Sequence, residues 1–299
     1  MTPYVTVPEL LSAPTGISWS SIPMRQASPA AQIAEQTNIC WRATHQVDEY
    51  CNQALRATLD TETLTGPDAR LTVQGNGITT FITERWPVLA VTGGQVSPST
   101  AFPPQWQQIP ADQFLIHSPA LGFDGSAASG AAGAGASRIE IAPGWVGWFA
   151  GRNGYRVEVT YINGWPHTGL TAAVAAGVLE IPVDDCTGWA VGGGVSGTFR
   201  DGDQTETIRV ASASVQSGPG ILTLVAPTAF PHAAGIAYTA MPWSVQQATI
   251  LYATSLALLR GAMAVTAQAL PGSQSQGGKG AEDIVTEAEV LLDPYRRIF

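Results

Sequence analysis

The residues able to do chemistry are few and lie far apart in the chain. The four histidines, His45, His117, His167 and His232, fall one to a segment. A zinc site needs such ligands to converge with cysteines or carboxylates at short spacing, and no short-range pair does so. His232, in Phe230-Pro231-His232, reads as a turn residue. Asp184-Asp185 and Asp201-Gly202-Asp203 are acidic turns without the spaced oxygen ligands of a calcium loop. Aspartate at a tight turn is accounted for by its bonds to nearby backbone N–H groups. Glu206, between Thr205 and Thr207, projects from a predicted strand face. A glycosidase needs two carboxylates close in space, and nothing in the spacing points to that pair. Gly194-Val195-Ser196-Gly197 lacks the spacing of a nucleophile elbow. Gly277-Gly278-Lys279-Gly280 lacks the upstream glycine and the preceding strand of a phosphate loop, and reads as linker. The expectation is a non-enzymatic protein with no catalytic residue, no metal and no cofactor.

Two residue types remain to be assigned. Three cysteines do not make a disulfide framework. Cys40 and Cys51 share one predicted helix, roughly 16 Å apart at the helical rise, so they cannot pair within a subunit; both read as buried thiols. Trp86, Trp106, Trp145, Trp148, Trp165, Trp189 and Trp243 offer rings that stack on sugars or anchor protein interfaces, although most are expected in the core.

Bulk composition narrows the class. The 299 residues are 45% hydrophobic and only 12% charged, where about a quarter charged is ordinary. That composition suits a chain that hides much of its surface in an assembly, and also a thermally undemanding secreted protein. A net charge of −9 and the lack of any basic run speak against tight nucleic-acid binding. The opening MTPYVTVPEL has no basic and then apolar run, so no signal peptide is expected, and the predicted compartment is a cytoplasm.

The elements that must position these residues follow from periodicity. Thr6 to Leu11 suggests one helical turn. Ser28-Pro29 is a cap-plus-first-position signature, and the helix it opens is expected to run to about Leu59, with Ile33, Cys40, Thr44, Val47, Cys51 and Leu55 along its stripe. From Ala69 the period becomes two. Leu71 to Gln74 and Ile78 to Thr83 flank Gly75-Asn76-Gly77 as a hairpin. Val88 to Val91 reads as a strand that Pro87 confines to a start or an edge. Ser97 to Pro110 reads as loop, Phe114 to His117 and Arg138 to Ile141 as short strands, and Asp124 to Ser137 as a mobile Gly/Ala/Ser tract. Tyr155 to Ile162 alternates cleanly and ends in Asn163-Gly164.

Beyond Thr168 the strands shorten: Val178 to Val183, Gly197 to Arg200, Thr205 to Ala211, Ile221 to Leu224 and Ile236 to Thr239. Their spacing suggests a small barrel or sandwich. Ser244 to Gln268 then reads as a helix with a Ser244/Gln247 capping box, apolar nearly all round and so buried. Arg260 and its polar neighbours argue against a membrane span. After Pro271-Gly272 and a Gly/Ser linker comes a short helix, Ala281 to Leu292, striped by Ile284, Ala288 and Leu291. Tyr155 to Pro166 ends as though a helix should follow, and Met241-Pro242-Trp243 opens as though a strand had just finished. The β segment from Thr168 to Ala240 therefore looks inserted into a connection.

This order, with Arg85-Trp86-Pro87-Val88, Val157-Glu158-Val159-Thr160-Tyr161-Ile162-Asn163-Gly164-Trp165, Pro242 before an Ala/Leu-rich helix, and Leu291-Leu292-Asp293-Pro294-Tyr295-Arg296-Arg297, resembles the head–tail connector (adaptor) proteins of long-tailed double-stranded DNA bacteriophages. The resemblance covers about Ser28 to Trp165 and Met241 to Phe299. It departs from the family in the insert and in the loops from Ser97 to Ser137.

The resemblance implies an α+β fold with a helical connector core, a β-hairpin region and an inserted small all-β domain. The corresponding parts are residues 1–168, 169–240 and 241–299. It also implies a homo-oligomeric ring, of twelve subunits in the family's manner, under the portal protein of the virion. That ring meets a stopper or other tail-side neck protein, and genomic DNA passes through it without sequence-specific binding and without a membrane. The portal-docking segment is expected at the C-terminus, through Leu291, Leu292, Tyr295, Arg296, Arg297, Ile298 and Phe299. The competing expectations are a carbohydrate- or receptor-binding tail module and another neck protein, a stopper or tail terminator.

Overall fold

The computed structural model describes residues 1–22, 28–66, 70–73, 78–117, 138–143, 145, 154–261 and 281–297. The Gly75-Asn76-Gly77 turn, the tract from Asp124 to Ser137, the linker before Ala281, Trp148, Ile298 and Phe299 lie outside the described residues. The chain is α+β, with helices, two four-stranded antiparallel sheets and a six-stranded antiparallel sheet among the described residues.

Among the described residues there are four α-helices: α1 (Val7–Ser12), α2 (Pro29–Cys51), α3 (Trp243–Leu259) and α4 (Ala281–Leu292). Thr6 and Glu9 cap α1 reciprocally. The Ser28 hydroxyl accepts from Ala31 N–H at 3.1 Å, with Pro29 in the first turn of α2. α2 stops at Cys51 and not near Leu59. The apolar stripe continues to a buried Leu55, but Asn52 takes a left-handed conformation (φ 54°), which asparagine tolerates and which ends a helix. Ile33, on the predicted stripe, is 58% exposed.

α3 is buried through Val245, Ala248, Thr249, Tyr252, Ala253 and Ala257. Pro242, not Ser244, caps it, and the Ser244 hydroxyl pairs instead with the Tyr295 hydroxyl at 2.8 Å. The helix ends at Leu259, and the rest of the expected span, Ala262 to Gln268, lies outside the described residues. Gly261, at φ 85°, closes it by donating to Leu258 O at 2.9 Å. α2, α3 and α4 share one core: Ile39, Cys40, Val47, Cys51, Val245, Tyr252, Ala288 and Leu292. Each large side chain buried there stabilises by about 1.5–3 kcal/mol.

Two four-stranded antiparallel sheets accompany the helices. The first has the order β1 (Thr58–Thr65), β8 (Tyr155–Asn163), β4 (Val88–Pro98), β5 (Gln107–Ile109); the second has β2 (Leu71–Val73), β3 (Thr79–Ile82), β7 (Arg138–Ile141), β6 (Phe114–His117). The first two residues of β1 were expected as the end of the helix, its remainder carried no expected element, and β5 was expected as loop. The strand that follows Pro87 runs on to Pro98 and lies inside its sheet, between β8 and β5. Leu64, Phe81, Val96, Ile139, Val157 and Tyr161 join the two sheets in a second core.

The remaining strands are β9 (His167–Gly169), β10 (Glu180–Val183), β11 (Ser196–Phe199), β12 (Glu206–Ala213), β13 (Gly220–Leu224) and β14 (Ala237–Thr239). They pair in the order β10-β13-β12-β11-β14-β9. Leu170 bridges Val183, with Thr171 N–H donating to Pro182 O at 3.0 Å and Asp184 N–H to Gly169 O at 3.1 Å. The two outer strands thus meet, and the sheet curls into a barrel around Trp189, Phe199, Val210, Leu222 and Tyr238. Entry and exit lie side by side, since β9 pairs with β14 and Ala240 N–H donates to Pro166 O at 2.8 Å.

Gly164 turns the chain out of β8 toward the barrel at φ 85°, and a Cβ there would sit 2.5 Å from Arg56 O. Gly164→Ala is expected to destabilise the fold by at least about 2 kcal/mol, from backbone strain plus the clash. Denaturant unfolding of the variant against the parent chain measures this.

Candidate interaction surface

The C-terminal segment carries the residues expected to dock, and its own fold accounts for several of them. α4 lies along α3 and buries Ile284, Ala288 and Leu292. Asp293–Tyr295 then form a 3-10 turn. Leu292 is fully enclosed, and Leu291 is half-buried against the same core. The Tyr295 ring stands edge-on to Trp165, with centroids 5.4 Å apart, and its carbonyl accepts from Gln53 Nε2 at 3.1 Å. Arg296 lies over the Tyr50 ring at 5.3 Å. Arg297 donates its backbone N–H to Cys51 O at 3.0 Å and its guanidinium to Glu84 at 2.9 Å. Leu292 and Tyr295 therefore hold the segment to its own subunit. What α4 presents outward is Val290, 65% exposed, together with the exposed Arg296 and the acidic residues Glu282, Asp283 and Glu287.

A second cluster lies where the barrel joins the helices. His167 is buried, with Nε2 2.9 Å from Pro3 O and Nδ1 2.9 Å from the Thr239 hydroxyl. Met241 N–H donates to that same hydroxyl at 3.0 Å. The Thr239 hydroxyl accepts from Met241 and donates to Nδ1, so the ring is the neutral tautomer protonated on Nε2. Burial, first among the causes, lowers the His167 pKa to about 4.

Beside it Arg200, also buried, donates to Met241 O at 2.8 Å and stacks on Trp243 at 4.5 Å. Burial lowers its pKa to about 10, against the attraction of Glu9. Glu9 accepts from Thr6 and from Gln246 Nε2 at 2.9 Å, and burial pushes its carboxyl above the usual range. Periodicity shows none of these polar groups, because each stands on an otherwise apolar face. The one sequence signal is Gln246, a polar side chain on a helix with almost no polar side.

His232 and the acidic turns find partners from other parts of the barrel. His232 is not a simple turn residue; its ring is buried, stacked on Phe199 at 4.2 Å. It lies between Asp201 (3.0 Å) and Glu206 (2.8 Å). Burial alone would raise the Glu206 pKa, but N–H donors from Ala229 and Phe230, together with His232, bring it below the usual range. Asp184 accepts from the Thr168 hydroxyl and Gly169 N–H, and Asp185 from Thr187 N–H and Gly218 N–H. Among the described residues no group of three or more His, Cys, Asp or Glu is arranged to hold a metal ion. His45 lies beside Trp41, and the ring centroids are 6.3 Å apart. His117 ends β6. Cys40, Cys51 and Cys186 are all buried and free.

Of the tryptophans, Trp86, Trp165 and Trp189 are buried, while Trp243 is 56% exposed under Arg200. No described helix is long and apolar enough to cross a membrane. No family model, no curated protein and no solved structure matches the chain.

Two outcomes follow. In the unfolded chain His167 titrates near 6.5, so it takes up a proton there before the folded chain does. The stability present above pH 6.5 is therefore lost as pH falls from about 6.5 toward about 4, by about 3 kcal/mol in all. His167→Gln keeps a donor for Pro3 O and an acceptor for Thr239, and should flatten this part of a urea-midpoint profile against pH. Leu292→Ala should cost about 2–5 kcal/mol by opening a cavity against α3, read as a lowered denaturation midpoint.

Proposed function

We propose that the chain is a structural subunit of a bacteriophage virion. In this reading it is a head-to-tail adaptor whose copies form a ring under the portal and extend the DNA channel toward the tail. The helices and the two four-stranded sheets make the connector core, the barrel is an inserted domain, and the work is done by surfaces rather than by catalysis. The observation that carries the reading is the bond from Ala240 N–H to Pro166 O. The resemblance rests on a strand followed almost directly by a proline and an apolar helix, with 73 intervening residues as its main departure (Thr168 to Ala240). Because the barrel's entry and exit strands are paired, β8 and α3 stand in the relation they would have with the barrel removed.

Three further features support it. The low charge content suits a chain that covers surface against its own copies. Apolar side chains remain outward on the helical side, among them Leu11, Ile33, Leu259 and Val290. A net charge of −9 disfavours adhesion of DNA phosphates to a channel wall. The partners in this reading are further copies of the chain, the portal protein and a stopper or tail-side neck protein; its place is the virion head–tail junction, reached from the host cytoplasm.

The purified chain, alone and mixed with the portal of the same virus, is to be examined by native mass spectrometry and negative-stain imaging. A ring capping the portal's narrow end is expected; a monomer or trimer that ignores the portal overturns the reading. Deleting Ala281 to Phe299 would strip α4 from the core, so the docking face is better tested by Val290→Asp with Arg296→Glu. That pair should leave the denaturation midpoint nearly unchanged and weaken portal binding on the order of tenfold or more, the loss of about 1.4 kcal/mol or more. Unaltered binding would place the docking face elsewhere.

A further inference from the structure

Among the described residues the first sheet keeps both outer strands open: β1 has backbone partners in β8 only, and β5 in β4 only. β1 is eight residues long, TLDTETLT, and contains no lysine, no proline and no bulge, three of the features that protect an edge from pairing; its two charged residues, Asp60 and Glu62, are held within the chain by Arg85 and Arg70.

The hydrogen-bond phase at each edge follows from two bonds. Gly66 N–H donates to Tyr155 O at 2.8 Å, and Ser99 N–H to Gly154 O at 3.1 Å. In an antiparallel ladder, directly opposed residues alternate between bonded and non-bonded pairs. Carried along the observed registers, these bonds turn the N–H and C=O of Leu59, Thr61, Thr63 and Thr65 outward from β1. They turn those of Gln108 outward from β5.

A side-chain ladder runs between the same two edges on one face. Thr63 Oγ1 donates to Glu158 at 3.3 Å, Gln95 Nε2 donates to the other Glu158 oxygen at 2.5 Å, and Gln108 Nε2 donates to Gln95 Oε1 at 2.7 Å. All are cross-strand neighbours. The ladder ends at β1 in a hydroxyl oxygen that can accept. It ends at β5 in an amide with a second N–H to give.

We infer that β5 of one copy pairs antiparallel with β1 of the next, with Gln108 opposite Thr63. The sheet and its polar ladder then run on from subunit to subunit. Strand directions alternate through the four strands, so this addition keeps the sheet antiparallel. At Gln108 and Thr63 both backbone groups face outward, giving a bonded pair, and Gln108 Nε2 reaches the free acceptor of Thr63.

The second copy, joined head to tail, is favoured over a two-fold dimer. Pairing β1 with itself in either of its two longest in-phase overlaps sets Glu62 opposite Glu62 or Asp60 opposite Glu62, and like charges directly opposed destabilise. β5 carries no charge. A head-to-tail contact closes a ring or grows a filament. The inference rests on the ring reading and names one contact between its subunits.

The test mixes two full-length variants, Thr63→Cys and Gln108→Cys, under oxidation, with native mass measured in parallel, alone and with the portal. A bonded antiparallel pair holds Cα atoms about 5.5 Å apart, within reach of a disulfide. The native cysteines are buried and do not compete. The expected result is a disulfide between the two variants in the mixture and none with either alone. In addition, Thr63→Pro removes the outward N–H without touching a backbone bond to β8, although the hydroxyl bond to Glu158 goes with it, and should raise the concentration for half-assembly on the order of tenfold or more. Oligomers that form without the mixed disulfide would overturn this contact and leave the ring reading standing. A disulfide from Thr63→Cys alone would overturn it in favour of two-fold pairing. A chain that stays monomeric with and without portal would overturn the ring reading, and this contact with it.

Discussion

The fold depends on how one buried phenol is satisfied. Tyr4 is wholly enclosed; its hydroxyl donates to Asp48 at 2.5 Å and accepts from Leu55 N–H and Arg56 N–H at 3.0 and 3.1 Å. Those two N–H groups belong to the stretch after α2, where the helix has ended and β1 has not begun. Left unpaired in this interior, each would cost about 1–3 kcal/mol. Asp48 adds a bond to Leu55 N–H at 3.1 Å, and burial holds its carboxyl above the usual range. Burial, with the Asp48 charge behind it, raises the Tyr4 phenol well above its ordinary value. The N-terminal segment is thus a structural strap. It fixes where α2 stops, and so the direction in which β1 enters its sheet.

The same strap reaches the barrel. The Tyr4 ring stands edge-on to His167, with centroids 5.8 Å apart, and Pro3 O takes the proton on His167 Nε2. Arg200, at the end of β11, reaches Met241 O at the start of α3. The barrel is therefore joined to the helices by two paired strands, a neutral imidazole and a buried guanidinium, rather than by a flexible linker. A joint of that kind transmits orientation: where the helices sit in an assembly, the barrel's outer face has a defined direction.

Much of the fold was legible in the sequence, and the failures have physical causes. Strands with clean alternation and clear breakers, such as Phe114 to His117 and Arg138 to Ile141, fall where the pattern put them, and so does the helix Ala281 to Leu292. The errors cluster at element ends. Leu55 continues the helical stripe of α2, but a left-handed Asn52 is a conformational choice that periodicity does not register. Ser244 has the chemistry of an N-cap and spends its hydroxyl on Tyr295, a partner 51 residues away. β1 alternates Leu59, Thr61 and Thr63 against Asp60 and Glu62, with the acids on the inner side. Glu62 takes the Tyr161 hydroxyl and the Glu84 N–H, and Asp60 takes Asn163 at 2.6 Å. A strand whose inward residues are carboxylates does not look like a strand until those partners are known. The polar groups at the neck were hidden for the same reason.

The two sheet regions treat their edges oppositely. The curled sheet joins β9 to β10 and leaves no long free edge, which is one way a small all-β unit avoids uncontrolled pairing. Among the described residues the sheet of β1, β8, β4 and β5 stays open at both ends, and β1 has no lysine, proline or bulge along it. Its ends are also unlike: one is long and acidic on its inner face, the other short and neutral, with Pro110 directly after it. A sheet with two equivalent open ends would favour growth in any partner's direction. One with unlike ends admits order only in a single sense, and that asymmetry is what a polar, head-to-tail assembly requires of its subunit.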